Sequence, residues 1–493
     1  MAPQFTSFRS VATVAANHSG SEDLMSQPHN EFSAFRLGDI RGIYPDDINE
    51  TFLERFAHAF VGHFDLKGRV VTGRDMRDSS EPLQQALNAT LAAIGIEVVD
   101  VGLCPTELGY FAAATADVAA AVIVTASHNP ARYNGLKCVL HGGRAITTEH
   151  GLADIKRLMS EGYRHAPASG GVTQMDFHAR FLDFLGGHFR PDVIRSDAIA
   201  LNGLNGTAAT MADRIAHAFG LNATWHRQDP GPMPLEGADP ANPRLAAEMK
   251  GFMAGGEFVL GVAWDGDCDR CVFFDNEGNL VPTYYMVGLM AEQFLAARPG
   301  SAIVFDTKLC WNTLEIIQRL GGRAIPAATG HAFMKQKMQE SGAVYGGELS
   351  SHHYFGDFFG CDSGMFAWLT VMTILGHSDR SLQEMIAERR QLVCCTPEIS
   401  IRLADVDSAF TALRAAYAGN AVAVDDFDGL AFSMAGGWRF SVRRSKTEDF
   451  IRLNFEARGQ ADTLMEEGVR VFERLEAFRD DDADWLAGFH LQQ

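Results

Sequence analysis

The sequence predicts an α/β protein built from three mixed α/β domains of similar topology and a smaller C-terminal α+β domain. Short β-branched runs alternate with helical patterns along most of the chain, which favours largely parallel sheets. The chain has 493 residues, too many for one compact core, so three or four domains are expected. After about residue 393 the pattern becomes an apolar/polar alternation, which indicates a half-exposed antiparallel sheet.

Individual elements follow from periodicity. Buried strands are predicted at residues 69–72, 121–125, 258–264 and 302–305. A helix is predicted over residues 148–159, because a threonine precedes apolar side chains that share one face: Leu152, Ile155, Leu158 and Met159. A later strand alternates apolar Ile451, Leu453 and Phe455 with polar Arg452, Asn454 and Glu456. A terminal amphipathic helix presents Leu464, Val471, Leu475 and Phe478.

Turn-rich segments divide the chain. Residues 1–30 are predicted to be a disordered extension, and Met25 is an alternative start. Linkers between domains are predicted at residues 165–171, 275–282 and 393–400. We therefore place the domains at residues 31–166, 167–281, 282–392 and 393–493.

Composition excludes some classes of function. The net charge is −20, with 62 acidic and 42 basic residues and no basic stripe, so a nucleic-acid partner is not expected. No apolar run is long enough to span a bilayer. Eight scattered cysteines, including one isolated CxxC at Cys268 and Cys271, favour reduced thiols in a cytoplasmic protein over a zinc site.

Polar residues follow the predicted strands of the first three domains at their carboxyl ends. They are Ser127, Asp265 and Lys308. Open α/β sheets bind ligands at this edge. The sequence therefore predicts that these three side chains serve a ligand.

The segment TASHNPARYNGLK exposes Ser127 at a strand end, because Asn129-Pro130 forces a turn. The G-x-S-x-G pattern is absent, so this is not a nucleophile elbow. A dyad with the adjacent His128 is not expected, since neighbouring side chains of an extended chain point apart. Lys137 is expected to come close if Asn134-Gly135 folds back as a turn. Judged alone, such a serine is more often structural than catalytic.

The segment DGDCDR places Asp265, Asp267 and Asp269 directly after a buried strand. Carboxylates this close repel one another unless a cation lies among them, and hard oxygen ligands favour Mg²⁺. An EF-hand loop does not fit, because Arg270 and Asn276 stand where it needs Gly and Glu. The alternative, a solvated acidic turn, is weakened by the apolar residues on both sides.

Two further segments have the composition of a sugar-phosphate site. YGGELSSHHYF presents Glu348, Ser350, His352 and His353, which suit either sugar hydroxyls or hydrogen bonds of the core. RRSKT presents Arg443, Arg444, Ser445, Lys446 and Thr447, which suit either a phosphate cradle or a basic surface turn.

Seven motifs in order, from about residue 35 to near the C-terminus, resemble the α-D-phosphohexomutase family. They are FRLGDIRG, GRD, TASHNP, DGDCDR, TGHAFMK, GGELSSHHYF and RRSKTE. The resemblance implies four domains around a central active-site cleft, each contributing one loop. It also implies a cytoplasmic enzyme, monomer or dimer, that acts on hexose phosphates with one Mg²⁺ and a hexose 1,6-bisphosphate as activator and intermediate. GGELSSHHYF is most similar to the mannose-type members.

The family's functional residues map onto this chain residue by residue. The resemblance implies that Ser127 is the phosphoserine and that Asp265, Asp267 and Asp269 hold Mg²⁺ together with Ser127. It places Arg41, Lys137 and His331 around the reacting hydroxyl. It implies substrate-binding roles for Arg270, Lys308, Glu348, Ser350, His352, Arg443, Ser445, Lys446 and Thr447.

The chain departs from the family pattern at three places. Gly38 replaces an aromatic residue before DIRG, Lys446 replaces Asn, and Ala327 and Ala328 stand where close relatives carry a Lys. The expected reaction interconverts mannose 6-phosphate and mannose 1-phosphate. A glucose-preferring or dual-specificity mutase, a metal-dependent sugar phosphatase and a non-catalytic sugar-phosphate binder are the alternatives.

Overall fold

The computed structural model describes residues 32–194, 197–444, 450–459, 461–480 and 483–492. Within them the strands form four sheets, three mixed and one antiparallel. Helices pack against each sheet, which confirms the predicted fold class. The predicted extension, residues 1–30, lies outside the described residues.

The first unit contains a seven-stranded sheet of order β1-β5-β4-β2-β3-β7, with β6 paired to β5. Its strands are β1 Ile40–Ile43, β2 Arg69–Arg74, β3 Glu97–Leu103, β4 Ala120–Val124, β5 Tyr133–Leu140, β6 Arg144–Ala145 and β7 Val172–Gln174. Its helices are α1 Glu50–Phe64, α2 Ser80–Ala93, α3 Thr106–Thr115 and α4 Ala153–Ser160. β7 lies after the first predicted linker, residues 165–171, yet it pairs with β3. The predicted domain boundaries remain predictions.

The second unit has a four-stranded sheet of order β11-β10-β8-β9. Its strands are β8 Ile199–Asn202, β9 Ala223–His226, β10 Leu260–Trp264 and β11 Cys271–Phe274, and its helices are α5 His178–His188, α6 Ala209–Ala218 and α7 Pro243–Met253. β8, β9 and β10 are parallel and β11 is antiparallel to β10. The loop between β10 and β11 is the predicted DGDCDR segment.

The third unit has a five-stranded sheet of order β13-β12-β14-β15-β16. Its strands are β12 Ala302–Asp306, β13 Arg323–Ala327, β14 Tyr345–Gly347, β15 His353–Phe355 and β16 Cys361–Asp362. Its helices are α8 Thr283–Ala297, α9 Trp311–Arg319, α10 His331–Ser341, α11 Gly364–Gly376 and α12 Leu382–Leu392.

The last unit has a six-stranded antiparallel sheet of order β17-β22-β21-β20-β19, with β18 paired to β22. Its strands are β17 Cys394–Cys395, β18 Ile399–Arg402, β19 Ala421–Asp425, β20 Leu430–Met434, β21 Trp438–Arg444 and β22 Phe450–Ala457. Its helices are α13 Val406–Tyr417 and α14 Ala461–Leu475. Phe478 belongs to a short turn after α14 and packs against the core of this unit.

Three local predictions need correction. The helix predicted over 148–159 begins at Ala153, because Gly151 has φ +124° and interrupts the helical backbone before it. Asn134-Gly135 is not a turn; both residues lie inside β5, and the chain reverses earlier. The polar face of β22 is less exposed than predicted, since Asn454 is 1% and Glu456 0% exposed, whereas Arg452 is partly exposed.

The hydrophobic cores show which units are tied together. The largest buried cluster runs through the first three units and includes Val71, Trp264 and Trp368. The last unit has a separate cluster from Ile399 to Phe489. The first three units therefore share packing, which also includes Cys395 of β17, whereas the rest of the last unit has a core of its own. No helix among the described residues is both long and apolar enough to cross a membrane.

Candidate active site

Ser127 lies just beyond the carboxyl end of β4 and is 1% exposed. Its backbone has φ +53°, in the left-handed region. The Oγ donates a hydrogen bond of 2.5 Å to Oδ2 of Asp265, at the end of β10 in the next unit. The carboxyl ends of β4 and β10 therefore meet at this hydrogen bond.

His128 lies closer to Ser127 than predicted. Its Nδ1 is 3.1 Å from the serine Oγ. The prediction that the two side chains point apart assumed extended backbone, and the left-handed conformation of Ser127 removes that assumption. Burial lowers the pKa of His128 well below its usual value, so the ring is neutral at physiological pH.

The loop that carries Ser127 is held by a residue that the sequence analysis did not select. Arg77 is 4% exposed and donates to the carbonyls of Ser127 and Asn129 at 2.8 and 2.7 Å. Its Nε pairs with Asp75 at 3.0 Å, and Asp75 also accepts from Thr125. Asp75 stands in the quoted GRD motif, so that motif is the signal that could have revealed the support.

Lys137 reaches the acidic loop because β5 runs antiparallel to β4, with Ile123 opposite Lys137. Its Nζ lies 2.7 Å from Oδ2 of Asp267 and also contacts Asp269. Burial alone lowers the pKa of Lys137, but Asp267 and Asp269 outweigh burial and raise it above its usual value. Lys137 is therefore a buried ammonium that partly neutralises the carboxylates.

The three carboxylates form one tight group. One oxygen from each of Asp265, Asp267 and Asp269 lies within 4.8 Å of the others, and all three residues are 0% exposed. Burial and the charges of Asp267 and Asp269 raise the pKa of Asp265 to about 7. Burial alone raises the pKa of Asp269, but Lys137 outweighs burial and lowers it to about 2.

This donor set fits a hard divalent cation. Within the described part of the chain, Oδ1 of Asp267 and Oδ1 of Asp269 are buried and have no hydrogen-bond partner. Buried carboxylate oxygens without partners are costly, and coordination of Mg²⁺ would satisfy them. Asp269 also lies near His352 and Asp362, but there Lys335, 2.9 Å from Asp362, already supplies positive charge.

The start of α3 supports the acidic loop from the first unit. Thr106 donates from its backbone N to the carbonyl of Asp267 at 2.9 Å and from its Oγ1 to Oδ2 of Asp267 at 2.7 Å. The next residue, Glu107, is 0% exposed, accepts from Ser363 and contacts Sγ of Cys268 at 3.8 Å. The sequence analysis missed both residues, because their partners are about 160 residues away or more along the chain.

Arg41 and His331 meet at a carboxylate that the sequence analysis also missed. Arg41 donates to Oδ2 of Asp39 at 2.6 Å and to Oδ1 of Asn129 at 2.7 Å. His331, the first residue of α10, has its Nε2 3.6 Å from the same Asp39 oxygen. Burial alone raises the pKa of Asp39, but Arg41 and His331 outweigh burial and lower it strongly. The structure thus places Arg41 beside the Ser127 loop through Asn129.

The predicted sugar loop reaches the acidic loop through His352. Arg270 donates from Nε to Nε2 of His352 at 3.1 Å, and Nδ1 of His352 lies 2.9 Å from Asp362. Burial alone lowers the pKa of His352, but Asp269 and Asp362 outweigh burial and raise it above its usual value. His353 points elsewhere, with its Nδ1 2.8 Å from the hydroxyl of Tyr345 in the core. Of the two interpretations of this segment, sugar binding or hydrogen bonds of the core, His353 therefore fits the second.

Glu348 and Ser350 lie on the same loop. Glu348 accepts from the backbone N of Gly330 at 3.0 Å and from Tyr354 at 3.1 Å. Burial alone raises the pKa of Glu348, but the positive charges of His352, Lys308 and Arg270 outweigh burial and lower it. Among the described residues, Oγ of Ser350 is buried and has no hydrogen-bond partner. A carboxylate and a free hydroxyl suit the hydroxyl groups of a sugar.

Lys308 and Arg443 meet at Glu398, at the junction of the third and last units. Nζ of Lys308 and Nη2 of Arg443 each lie 3.8 Å from Oε2 of Glu398. Ser445, Lys446 and Thr447 lie outside the described residues, so their predicted contact with phosphate stays a prediction.

Comparisons with known proteins give matches along most of the chain. Residues 33–165 match the model for phosphoglucomutase/phosphomannomutase, alpha/beta/alpha domain I, and residues 282–392 match that for domain III. The chain is 38% identical over 445 residues to phosphohexose mutases of Xanthomonas campestris pv. campestris, covering 87% of this chain and 96% of that protein. It is 37% identical over 446 residues to a phosphomannomutase of Escherichia coli, covering 88% and 97%.

A solved structure shares the fold. A phosphoglucomutase/phosphomannomutase family protein from Burkholderia thailandensis superimposes with a TM-score of 0.81 at 28% identity, covering 91% of this chain and 98% of that one. By its fold and by these matches, the chain is a member of the phosphohexomutases, which are intramolecular phosphotransferases. The chain belongs to the phosphoglucomutase/phosphomannomutase family.

Proposed function

We propose that this protein interconverts mannose 6-phosphate and mannose 1-phosphate through a phosphoserine at Ser127 and a hexose 1,6-bisphosphate intermediate. The observation that carries the proposal is the hydrogen bond from Ser127 to Asp265, inside a group of three buried carboxylates and one buried lysine. A serine oxygen in this position can carry a phosphoryl group next to a divalent cation.

The chemistry has to move a phosphoryl group between hydroxyls on opposite sides of one sugar. Phospho-Ser127 donates its phosphoryl to the free hydroxyl: the P–O bond to the serine breaks, and a P–O bond to the sugar forms. The bisphosphate then reorients, and Ser127 takes the other phosphoryl by the reverse exchange. Phosphoryl transfer depends mainly on alignment and charge stabilisation.

We assign a role in this reaction to each site residue that the structure describes. Asp265, Asp267, Asp269 and Ser127 would hold Mg²⁺, which when bound offsets the charge of the transferring phosphoryl group. Lys137 and Arg41, both cations, orient the reacting hydroxyl and stabilise the charge that develops on its oxygen, and its proton ends on Oγ of Ser127. His331 shares that role or orients the ligand. Glu348, Ser350 and His352 bind sugar hydroxyls, while Arg270 and Lys308 contact the sugar phosphate.

The phosphate that is not reacting needs a separate binding place. Arg443 lies near the end of β21 in the last unit, with its Nη2 3.8 Å from Oε2 of Glu398. We assign the idle phosphate to Arg443 together with Ser445, Lys446 and Thr447. Because the last unit has its own core, it can close on the ligand as a unit and exclude water, which would otherwise hydrolyse the phosphoserine.

A glucose-preferring or dual-specificity mutase is the alternative, because the chain resembles phosphohexose mutases and phosphomannomutases to nearly the same degree. A single-turnover assay with phosphorylated enzyme, Mg²⁺ and either mannose 1-phosphate or glucose 1-phosphate separates the two. We expect hexose 6-phosphate from both and a higher kcat/KM for mannose. A higher value for glucose would establish the alternative. Release of free phosphate without hexose 6-phosphate would instead show a phosphatase.

A further inference from the structure

Three cations of two units face one carboxylate at the junction of the third and last units. We call Lys308, Glu398, Arg443 and Arg452 the Glu398 cluster. Oε2 of Glu398 lies 3.8 Å from Lys308 and 3.8 Å from Arg443, and Oε1 lies 3.1 Å from Nη1 of Arg452. Lys308 belongs to the third unit, whereas the other three residues belong to the last unit. The cluster therefore spans the junction.

The two arginines are direct neighbours across the sheet. Arg443 of β21 and Arg452 of β22 are opposite each other in the antiparallel register, so both side chains lie on one face. Like charges in that position destabilise a sheet unless an anion lies between them. Glu398 supplies that anion. Burial alone raises the pKa of Glu398, but the three cations outweigh burial and lower it, so it is ionised.

The same face of the sheet holds Lys308 by its backbone. Residues 439, 441 and 443 of β21 share this face because they alternate along the strand. Arg439 donates to the carbonyl of Lys308 at 2.9 Å and to that of Thr307 at 2.6 Å. Ser441 donates to the Lys308 carbonyl at 2.8 Å. Lys308 is thus in fixed register with Arg443.

A buried ion pair fixes this register. Opposite Arg439 in the sheet lies Glu456, which accepts from Arg439 at 2.8 Å and from the backbone N of Trp311 at 2.8 Å, at the start of α9. The carboxylate thereby caps a helix of the third unit from the last unit. The polar face of β22, predicted to be solvated, is in fact the junction with the third unit.

The contacts of Arg439 and Glu456 differ from those of Glu398. The first pair is a structural ion pair, whereas the cations around Glu398 can change their anionic partner. Arg439 and Glu456 are 4% and 0% exposed and have several fixed partners. Glu398 is 29% exposed, and two of its three contacts are as long as 3.8 Å. A phosphate has more charge than a carboxylate and three oxygens for guanidinium groups. It can therefore replace Glu398 as the partner of these cations.

We propose that Glu398 is a positioning residue that holds the cations of the anion subsite together in the free enzyme, and that the substrate's idle phosphate displaces it. Arg452 is then a further phosphate-binding residue beside Arg443. The proposal rests on the proposed function, which supplies the sugar phosphate. In the free enzyme, the carboxylate of Glu398 holds Lys308 and Arg443 in place across the junction. Because it competes with the product's phosphate for these cations, it speeds the release of product.

The test is the binding of inorganic phosphate to the full-length protein, measured by calorimetry in the presence of a chelator and at two ionic strengths. The variant Glu398→Gln removes the charge and keeps the shape. We expect it to bind phosphate about three- to tenfold more tightly at low salt, with a smaller gain at high salt because of screening. Its turnover should show a lower KM and a lower kcat, since release becomes slower.

Glu466→Gln is the matched control. It makes the same change of charge in the same unit, at an exposed position on α14. We expect its phosphate affinity and kinetics to equal those of the unmodified protein. Equal or weaker phosphate binding by a folded Glu398→Gln variant, compared with this control, would overturn the proposal.

Arg452→Gln gives a second, independent measurement should the first variant fail to fold. We expect it to weaken phosphate binding, and unchanged affinity would remove Arg452 from the site. The outcome is separable from that of the proposed function. A protein without mutase turnover would refute the proposed function, whereas the ranking of phosphate affinities would still decide the role of Glu398.

Discussion

The Oγ of Ser127 lies 2.5 Å from Oδ2 of Asp265, although 138 positions separate the two residues. Each side chain stands just past the carboxyl end of a strand in a mixed sheet, and the two strand ends lie face to face. Arg77 fixes the serine loop, and Thr106 fixes the acidic loop. The serine hydroxyl is therefore held where a phosphoryl group on it would reach the carboxylate group and Lys137.

Ser127→Ala should lower mutase turnover by several orders of magnitude, because no other oxygen in the described site takes the place of the serine Oγ. Intact mass spectrometry should show one phosphoryl group on the unmodified protein after treatment with hexose 1,6-bisphosphate and none on the variant. Ser160→Ala, at an exposed position at the end of α4, is the control and should keep both properties. Normal turnover by Ser127→Ala would refute the phosphoserine scheme.

Thr106→Val should weaken the binding of Mg²⁺ by about 10- to 100-fold, as expected when an outer-shell hydrogen bond to a metal ligand is removed. The hydroxyl of Thr106 donates to Asp267, and valine has the same shape without the donor. The measurements are the Mg²⁺ dependence of turnover and direct binding of Mn²⁺ to the protein. Thr106→Ser, which keeps the hydroxyl, should restore affinity. Equal affinities for the valine and serine variants would contradict the assignment.

Glu107 should make the folded protein less stable as the pH rises. Burial raises the pKa of Glu107 to about 8, and Asp362 adds to this, although Ser363, the backbone N of Met365 and Cys268 partly oppose it. Because the folded state keeps a proton that the unfolded state loses first, this contribution is complete below the unfolded pKa. It disappears as the pH rises through about 8.

Glu107→Gln mimics the protonated carboxyl and isolates this contribution. We expect the Tm of the unmodified protein to fall by a few degrees relative to this variant between about pH 5 and about pH 9. Thermal unfolding in a pH series is the measurement. A Tm difference that does not change with pH would show that Glu107 does not carry the proton.

Gly135→Ala should reduce both stability and turnover. A Cβ at Gly135 would come 2.1 Å from the carbonyl oxygen of Ile40 and 2.8 Å from that of Thr125. Both contacts are backbone, so β1 has to move away from β5 and carries Arg41 with it. A displacement of about 1 Å in an active site can cost about a hundredfold in rate.

Gly186→Ala is the matched control for this substitution. Gly186 lies in α5, and nothing stands within 4 Å of a Cβ built there. In a helix alanine is favoured over glycine by about 1 kcal/mol, so this variant should be as stable as the unmodified protein or more so. Thermal unfolding and kcat report both variants, and unimpaired Gly135→Ala would show that β1 tolerates the shift.

The sequence by itself predicted a chemistry for each loop, because short motifs carry it locally. A serine after a buried strand, three alternating aspartates and a Gly-Gly-Glu loop can each be interpreted without knowing what lies beside them. Four of the predicted strands appear as β2, β4, β10 and β12, with ends shifted by a few residues at most.

What lies beside each motif was decided only in three dimensions. Lys137 reaches Asp267 through an antiparallel pairing of β4 and β5 and not through a turn, and His128 approaches Ser127 because of a left-handed residue. An alternating strand pattern states that β22 has a polar face, but not that this face meets another unit. Burial and charge balance depend on partners in other strands and other units of the fold, which a periodicity within one strand cannot encode. For that reason the residues that support the site, Thr106, Glu107, Asp39 and Glu398, became visible only once the four units were assembled.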